Sequence, residues 1–298
     1  MRKIKIKLAD FRTVRAYLKF IPENINGIST GDKVHIDLDL NGFIPIEYFV
    51  ITVGILKYLY YNEVEVNTEY NINTYAQRID FYNILGLFTD EKFSRHDSNG
   101  RFCEIKEIDE NNSSNIVSNM IKVVQKKCTV SDELIGCLNY CWYEVVGNII
   151  EHAESPVNGY VAAQYYPSDE VIRVVILDCG IGIKNALCKN KIYENFTEEE
   201  ALLECIKEGV TNGNGMGRGL YHTSEFIKSN KGNMKIYSGQ HMLKVTHNHT
   251  GINDSSQWNG TLVVLDINAN TPVDLVDIFK DDVPTTALEW EECVNELW

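Results

Sequence analysis

The chain has 298 residues, a hydrophobic fraction of 44% and a formal net charge of −14 at pH 7. That length suits about two domains of ordinary size, and the apolar content is ample for packed cores rather than wholesale disorder. The acidic balance argues against bulk nucleic-acid binding. Positive charge gathers at the start, in Arg2, Lys3, Lys5, Lys7, Arg12, Arg15 and Lys19. This reads as a solvated, lysine-guarded edge strand in preference to an anion-binding patch. The eight cysteines form no CxxC pair, and Cys137 and Cys141, one helical turn apart, read as core residues. Reduced thiols without a signal peptide point to the cytoplasm. The longest apolar run, Val50 to Tyr61, is interrupted by Thr52, Gly54 and Lys57 and is too short to span a membrane.

Residues 1–94 alternate strand and helix. Val34, Ile36, Leu38 and Leu40 alternate with His35, Asp37 and Asp39, the period-two pattern of a half-buried strand. Pro45 suits the first turn of a helix running to about Tyr61. Glu63–Val66 reads as a second strand, and Thr74 as the cap of a helix to about Leu87. This order, closed by Arg78-Ile79-Asp80-Phe81-Tyr82-Asn83-Ile84-Leu85-Gly86, loosely resembles a STAS domain, the fold of anti-sigma-factor antagonists. Those antagonists carry a phosphorylatable Ser or Thr near the start of the first helix. Here the positions are Phe43-Ile44-Pro45-Ile46, and the first Ser or Thr in the helix is Thr52. The resemblance therefore implies the fold without the phospho-switch.

Residues 95–114 read as a polar, turn-rich linker holding a possible strand, Phe102–Ile108, and a helix is expected from Asn115 to Lys127. A long apolar-periodic run from Ser131, its cap, to Ala153 reads as one helix. On it Glu144, Asn148 and His152 fall at i, i+4 and i+8, so all three project from nearly one face. Such a stripe is either an ordinary solvated face or a functional one. After the apolar strand Val171–Leu177 comes Asp178-Cys179-Gly180-Ile181-Gly182-Ile183, where glycines let a ligand approach the backbone. A second glycine run, Gly213-Asn214-Gly215-Met216-Gly217-Arg218-Gly219-Leu220, leads into a helix to about Lys228. Free N–H groups and the positive dipole end at a helix N-terminus favour phosphate. Neither run is a Walker A loop, because no Gly-Lys-Ser/Thr follows, and neither makes a convincing Rossmann fingerprint.

Between the two glycine runs, Lys184 to Asn212 forms an insertion. Thr197-Glu198-Glu199-Glu200 makes a capping box and Gly209 a stop, so a helix is expected from Thr197 to Glu208. Strands Asn233–Tyr237, His241–His247 and Leu262–Ile267 follow, with a polar loop from His249 to Asn259. His247-x-His249 has only His241 nearby and is a poor metal motif. The tail, 271–298, is acidic with interleaved Leu275, Ile278, Leu288, Trp290 and Trp298; it either docks on the chain's own surface or presents a partner peptide.

Taken in order, the motifs resemble those of the GHKL ATPase superfamily of gyrase, heat-shock chaperone, histidine kinase and MutL proteins. Glu144xxxAsn148xxxHis152 is similar to its N box and Asp178-x-Gly180-x-Gly182 to its G1 box. Gly215-Met216-Gly217-Arg218-Gly219-Leu220 is similar to its G2 box, and Gly260-Thr261 to its late Gly-Thr. The resemblance covers roughly residues 111–270. The expected fold class is α+β: a two-layer α/β sandwich over 115–270, its mixed sheet covered by helices, preceded by the smaller STAS-like α/β domain.

The resemblance implies an ATP-binding protein that uses Mg²⁺. It assigns Asn148 to the metal, Asp178 to the adenine amino group and Thr261 to adenine. The backbone of 215–220 would hold the phosphates, Gly180, Gly182 and Ile183 would lie against the nucleotide, and the insertion would be an ATP lid. In the absence of the flanking motifs that insertion reads as a plain surface excursion. Glu144 is placed to act as general base, and His152 either reaches the phosphates or is a satisfied core histidine. The activity expected is ATP hydrolysis in a nucleotide-gated switch. Phosphotransfer to Ser or Thr, as in anti-sigma-factor kinases, and a non-catalytic, ATP-stabilised binding module are the alternatives. A partner protein met through the STAS-like region or the lid, and a second copy of the chain, are the candidate partners; a membrane is not.

Overall fold

The computed structural model describes residues 1–95, 102–109, 111–127, 132–213, 217–273 and 278–279. Arg2–Lys7 (β1), Lys33–Asp39 (β2) and Glu65–Tyr70 (β3) form a parallel three-stranded sheet in that order, connected through helices Val14–Ile25 (α1) and Ile46–Tyr61 (α2). β1 is an edge strand, with its lysines exposed and Ile4 and Ile6 buried, as the basic start of the chain suggests. β3 starts two residues later than expected, because Glu63 turns the chain with φ 55°. The single helix expected from Thr74 to Leu87 is two short ones, Thr74–Arg78 (α3) and Phe81–Ile84 (α4). Asp80 breaks it at φ 62°, and the Asn73 side chain, not Thr74, caps α3 by accepting from Ala76 N–H.

The second sheet has five strands in the order β4-β5-β6-β8-β7. These are Phe102–Ile108 (β4), Gly159–Tyr166 (β5), Val171–Leu177 (β6), Asn233–Thr246 (β7) and His249–Asn268 (β8). Where a mixed sheet is expected, every ladder is antiparallel: tight turns impose it on β5–β6 and β7–β8, and β4–β5 and β6–β8, joined through helices and longer segments, run antiparallel too. The strand in the expected linker, β4, is the edge of this sheet, paired to β5. The expected loop from His249 to Asn259 is instead the first half of β8. Its backbone groups pair with the extension of β7, from Met242↔Asn253 to Thr246↔His249.

Both faces of this sheet are covered. Val161, Val174, Ile176, Ile236, Val263 and Leu265 face Ser113–Lys127 (α5), Asp132–His152 (α6) and Gly219–Ser229 (α9). The alternate residues Tyr160, Ala162, Val175, Leu177, Leu262 and Val264 join one core with α1, α2 and the first sheet. α2 is apolar all round because it lies between the two sheets, as a helix without a polar face must be buried. Gly54 sets its distance: a Cβ there would stand 2.6 Å from Leu177 Cδ2. On this face Arg173 forks onto Asp266 of the neighbouring strand (2.6 and 3.0 Å) and donates to Glu47 of α2 at 3.0 Å.

Gly182–Leu187 (α7) and Glu198–Glu204 (α8) lie in the insertion between the glycine runs. The Thr197–Glu200 capping box is present, but α8 stops four residues short of Glu208, in turns before Gly209. Cys137 and Cys141 lie in the core. Among the described residues no helix is long and apolar enough to cross a membrane. Ser131, the expected cap of α6, lies outside the described residues, as do Gly215 and Met216.

Candidate functional site

A cavity of about 280 Å³ opens between α6, the end of β6, the 182–212 segment and the start of α9. The stripe of α6 lines it: Glu144, Asn148 and His152 all face it, with Tyr140 one turn earlier on the same line. Glycine makes this approach possible. At Gly219 an added Cβ would lie 1.7 Å from Glu144 Oε2, so the carboxylate rests directly against the first turn of α9. Gly217 has φ +65°, and its carbonyl accepts from Gly209 N–H at 3.1 Å, which ties the second glycine run back to the end of the insertion. Gly217, Arg218, Gly219 and Leu220 thus meet the α6 stripe across the cavity.

Asp178 stands at the end of β6, where its strand leaves the sheet. It is 3% exposed, accepts from Gly180 N–H at 2.8 Å, and donates its own N–H to Thr261 O at 2.9 Å. The Trp258 indole N–H donates to its main-chain oxygen at 3.2 Å. Gly260 has φ +110°, and a Cβ there would fall 2.3 Å from that oxygen. The late Gly-Thr therefore brackets Asp178, and Thr261 lines the same cavity. Gly182 (φ +74°) and Ile183 line it too, with Ile183 N–H donating to Ser238 Oγ at 3.0 Å. Gly180 lies behind, against Ala153 O, and borders a second, polar cavity on the outer side of the loop.

The electrostatics single out two acids. Burial pushes the Glu144 carboxyl up to about 7, against a hydrogen bond from Tyr140 that favours its charged form, and Glu151 raises it further. Its Oε1 is buried with no hydrogen-bond partner among the described residues. Burial likewise raises Asp178 to about 6, opposed by the hydrogen bonds from Gly180 and Thr261. Carboxyls displaced toward neutrality inside a cleft are characteristic of reactive or ligand-binding positions. His152 is half-buried, its Nδ1 3.2 Å from Asn212 Nδ2, so it bridges α6 to the end of the insertion.

Among the lining residues not expected from the sequence are Tyr140, His222 and Phe279. Tyr140 extends the α6 stripe by one turn, so the spacing that gave Glu144, Asn148 and His152 also pointed to it. His222 holds the Tyr140 hydroxyl at 2.9 Å through Nδ1, and Phe279, from the tail, packs on both rings. No sequence pattern announces Phe279; it shows that part of the tail docks on the chain itself. The cavity thus offers two raised carboxyls, a carboxamide oxygen at Asn148 able to meet a hard cation, and main-chain N–H groups at the head of α9 suited to an anion. No protein-family model, curated protein or solved structure matches the chain.

Proposed function

We propose that this cavity binds ATP with Mg²⁺ and that the chain is an ATPase of the GHKL kind, working as a nucleotide-gated switch for a partner protein. The observation that carries the reading is convergence. Three segments far apart in sequence, around residues 144–152, 178–183 and 217–220, line one cavity, and the Gly260-Thr261 step brackets its acid. A five-stranded sheet backed by α5, α6 and α9 supports the reading, although its ladders are antiparallel where a mixed sheet is expected, and the three-stranded parallel unit supports a STAS-like N-terminal half.

Each residue then has a role set by its chemistry. Asp178, fixed by Gly180 N–H and aimed from a strand end, accepts a hydrogen bond from the adenine amino group and so disfavours guanine. The N–H groups at the start of α9 receive phosphate oxygens, with the dipole of an eleven-residue helix behind them. The cavity also carries the carboxyls of Glu144, Glu151 and Asp178, so a polyphosphate needs a cation there. Asn148 would hold Mg²⁺, which shields phosphate charge, and its neutral amide leaves the ion's charge undiminished. Glu144, raised toward 7, is poised to take a proton from the attacking water. At about 280 Å³ the cavity lies at the lower edge of small-molecule sites, ~300–1,000 Å³, so admitting a nucleotide requires the 184–212 segment to move outward.

The test combines calorimetry and turnover. Mg–ATP should bind the parent protein and Mg–GTP should not; Asp178→Asn should lose most of the affinity, and Asn148→Ala the Mg²⁺-dependent part. Glu144→Ala should keep ATP bound while phosphate release falls by about two orders of magnitude or more. Absence of ATP binding to the parent sinks the reading. Label passing from γ-phosphate to a protein, with no phosphate released, would replace the switch by a kinase.

A further inference from the structure

We propose that Glu199, His241 and Asp254 form a zinc site that pins α8 to the β7–β8 hairpin. Their ligand atoms lie within 4.8 Å of one another, and the three residues come from three elements: α8, β7 and β8. His241 and Asp254 are directly opposed across the hairpin, so their side chains share one face. The β7–β8 register shifts twice just before His241, at Tyr237/Gly239 and Gly239/His241, and irregularities of this kind re-aim side chains out of the sheet pattern. The site lies apart from the cavity lined by Glu144 and Asp178 and does not depend on the nucleotide reading.

The orientation of the imidazole is what distinguishes this cluster from a scatter of surface acids. Glu198 Oε2 lies 3.2 Å from His241 Nδ1, and a carboxylate can only accept there, so the proton sits on Nδ1. The same oxygen accepts from Gln240 N–H at 2.8 Å, and the carboxylate lies against Gly239, where a Cβ would come within 2.4 Å of it. Glu198 is therefore fixed by the backbone. With Nδ1 so engaged, Nε2 faces Glu199 Oε1 at 3.1 Å, a pairing of two acceptors that needs a proton or a metal ion between them. A carboxylate behind a histidine whose other nitrogen faces further carboxylates is the outer-shell arrangement of zinc centres.

Charge makes the same point. Three carboxylates, Glu198, Glu199 and Asp254, meet one imidazole that carries at most a single positive charge. An ion pair would need only one of them, and crowding the others together costs stability unless a cation is present. One nitrogen and two carboxylate oxygens suit Zn²⁺, with a fourth position left for water, better than Mg²⁺ or Ca²⁺, which favour all-oxygen shells. Bonds of about 2.1 Å in a tetrahedron place ligand atoms about 3.4 Å apart. Glu199 and Asp254 are exposed and can rotate that small distance inward. A bound ion would fasten the helix of the 184–212 segment to the hairpin at one point.

The experiment uses the full chain, stripped with a chelator and titrated with zinc sulfate against a colorimetric competitor, with metal content measured after dialysis. One Zn²⁺ per chain is expected at pH 7.5, and His241→Gln and Asp254→Asn should each weaken it at least tenfold. Glu198→Gln, which neutralises the carboxylate behind Nδ1, should weaken it by about 10–100-fold. Zinc should also slow proteolysis within 184–212 in the parent and not in the variants. Circular dichroism of the metal-free variants checks folding; Asp254 is exposed, so its variant carries the test if His241→Gln fails to fold. No uptake, preferential uptake of Ca²⁺, or zinc held equally well by both variants, as a site at the half-buried Cys188 thiol would give, overturns the proposal.

Discussion

The two faces of the five-stranded sheet are built from alternate residues of the same strands, yet they are finished differently. On the face toward α1 and α2, the buried charges lean on one another: Arg173 is forked onto Asp266 and tied to Glu47 Oε1, while Glu47 Oε2 has no hydrogen-bond partner among the described residues. On the face toward α6 and α9, packing stops short at a cavity, and burial raises the Glu144 and Asp178 carboxyls, with Glu144 Oε1 unpartnered among the described residues. One face holds the molecule together, while the other tolerates buried acids that cost stability until something meets them. Both faces bury a carboxylate oxygen without a partner, but beside Glu144 the packing opens into a cavity, whereas Glu47 leans on Arg173.

The largest break in that comparison is removal of residues 1–94. It would expose Tyr160, Val175, Leu177, Tyr237, Leu262 and Val264 at once. At about 1.5–3 kcal/mol per large apolar side chain this is on the order of 10 kcal/mol, comparable with the whole stability of a domain. The shortened chain should aggregate or show no cooperative melt; a soluble, cooperatively folding product would mean the shared core is dispensable. Next in size is Arg173→Leu, which strands Glu47 and Asp266. Burial already raises the Glu47 carboxyl against the pull of Arg173. Losing one partner of a buried pair costs roughly 3–5 kcal/mol, to be read from urea unfolding, whereas an effect below about 1 kcal/mol would class the cluster with surface ion pairs.

The smallest effect concerns the acids of the cavity face. Glu144 and Asp178 are raised in the folded chain from 4.5 and 3.8 to about 7 and about 6, so folding favours their protonated forms. The stability this gives is complete below the unfolded values and is lost as pH rises through 6 and then 7. The ligand-free protein should therefore weaken between pH 4 and 8. Glu144→Gln should flatten the fall, gaining on the order of 2–3 kcal/mol at pH 8 and nothing at pH 4. Equal slopes for parent and variant in urea melts across that range would remove Glu144 from the account.

Much of the fold was legible because local signals agreed with it. The period-two strand at 34–40, the capping box at Thr197 and the long helix through Glu144 are all present. Val171–Leu177 held more information than its strand assignment alone. A nearly continuous apolar run is what a strand covered on both faces looks like, and it pointed to the second layer that α1 and α2 supply. What stayed hidden was settled by tertiary pairing. The polar 249–259 stretch has no apolar alternation and is a strand only because β7 runs on beside it. The break at Asp80 rests on a left-handed residue that no glycine announced. In the cavity, helical spacing reached Tyr140 as well as Glu144, while Phe279 arrives from a distant segment.

Trp258 gives the molecule an optical probe of its own. Its indole N–H donates to the main-chain oxygen of the residue whose side chain points into the cavity, while the other described tryptophan, Trp142, is sealed inside α6. Any ligand that draws Asp178 or the turn after it will alter the field along that indole and so the colour and yield of its emission. Occupancy of the cavity can thus be followed by light from the far side of the loop, without a label, and Trp258→Phe marks which part of the signal belongs to it.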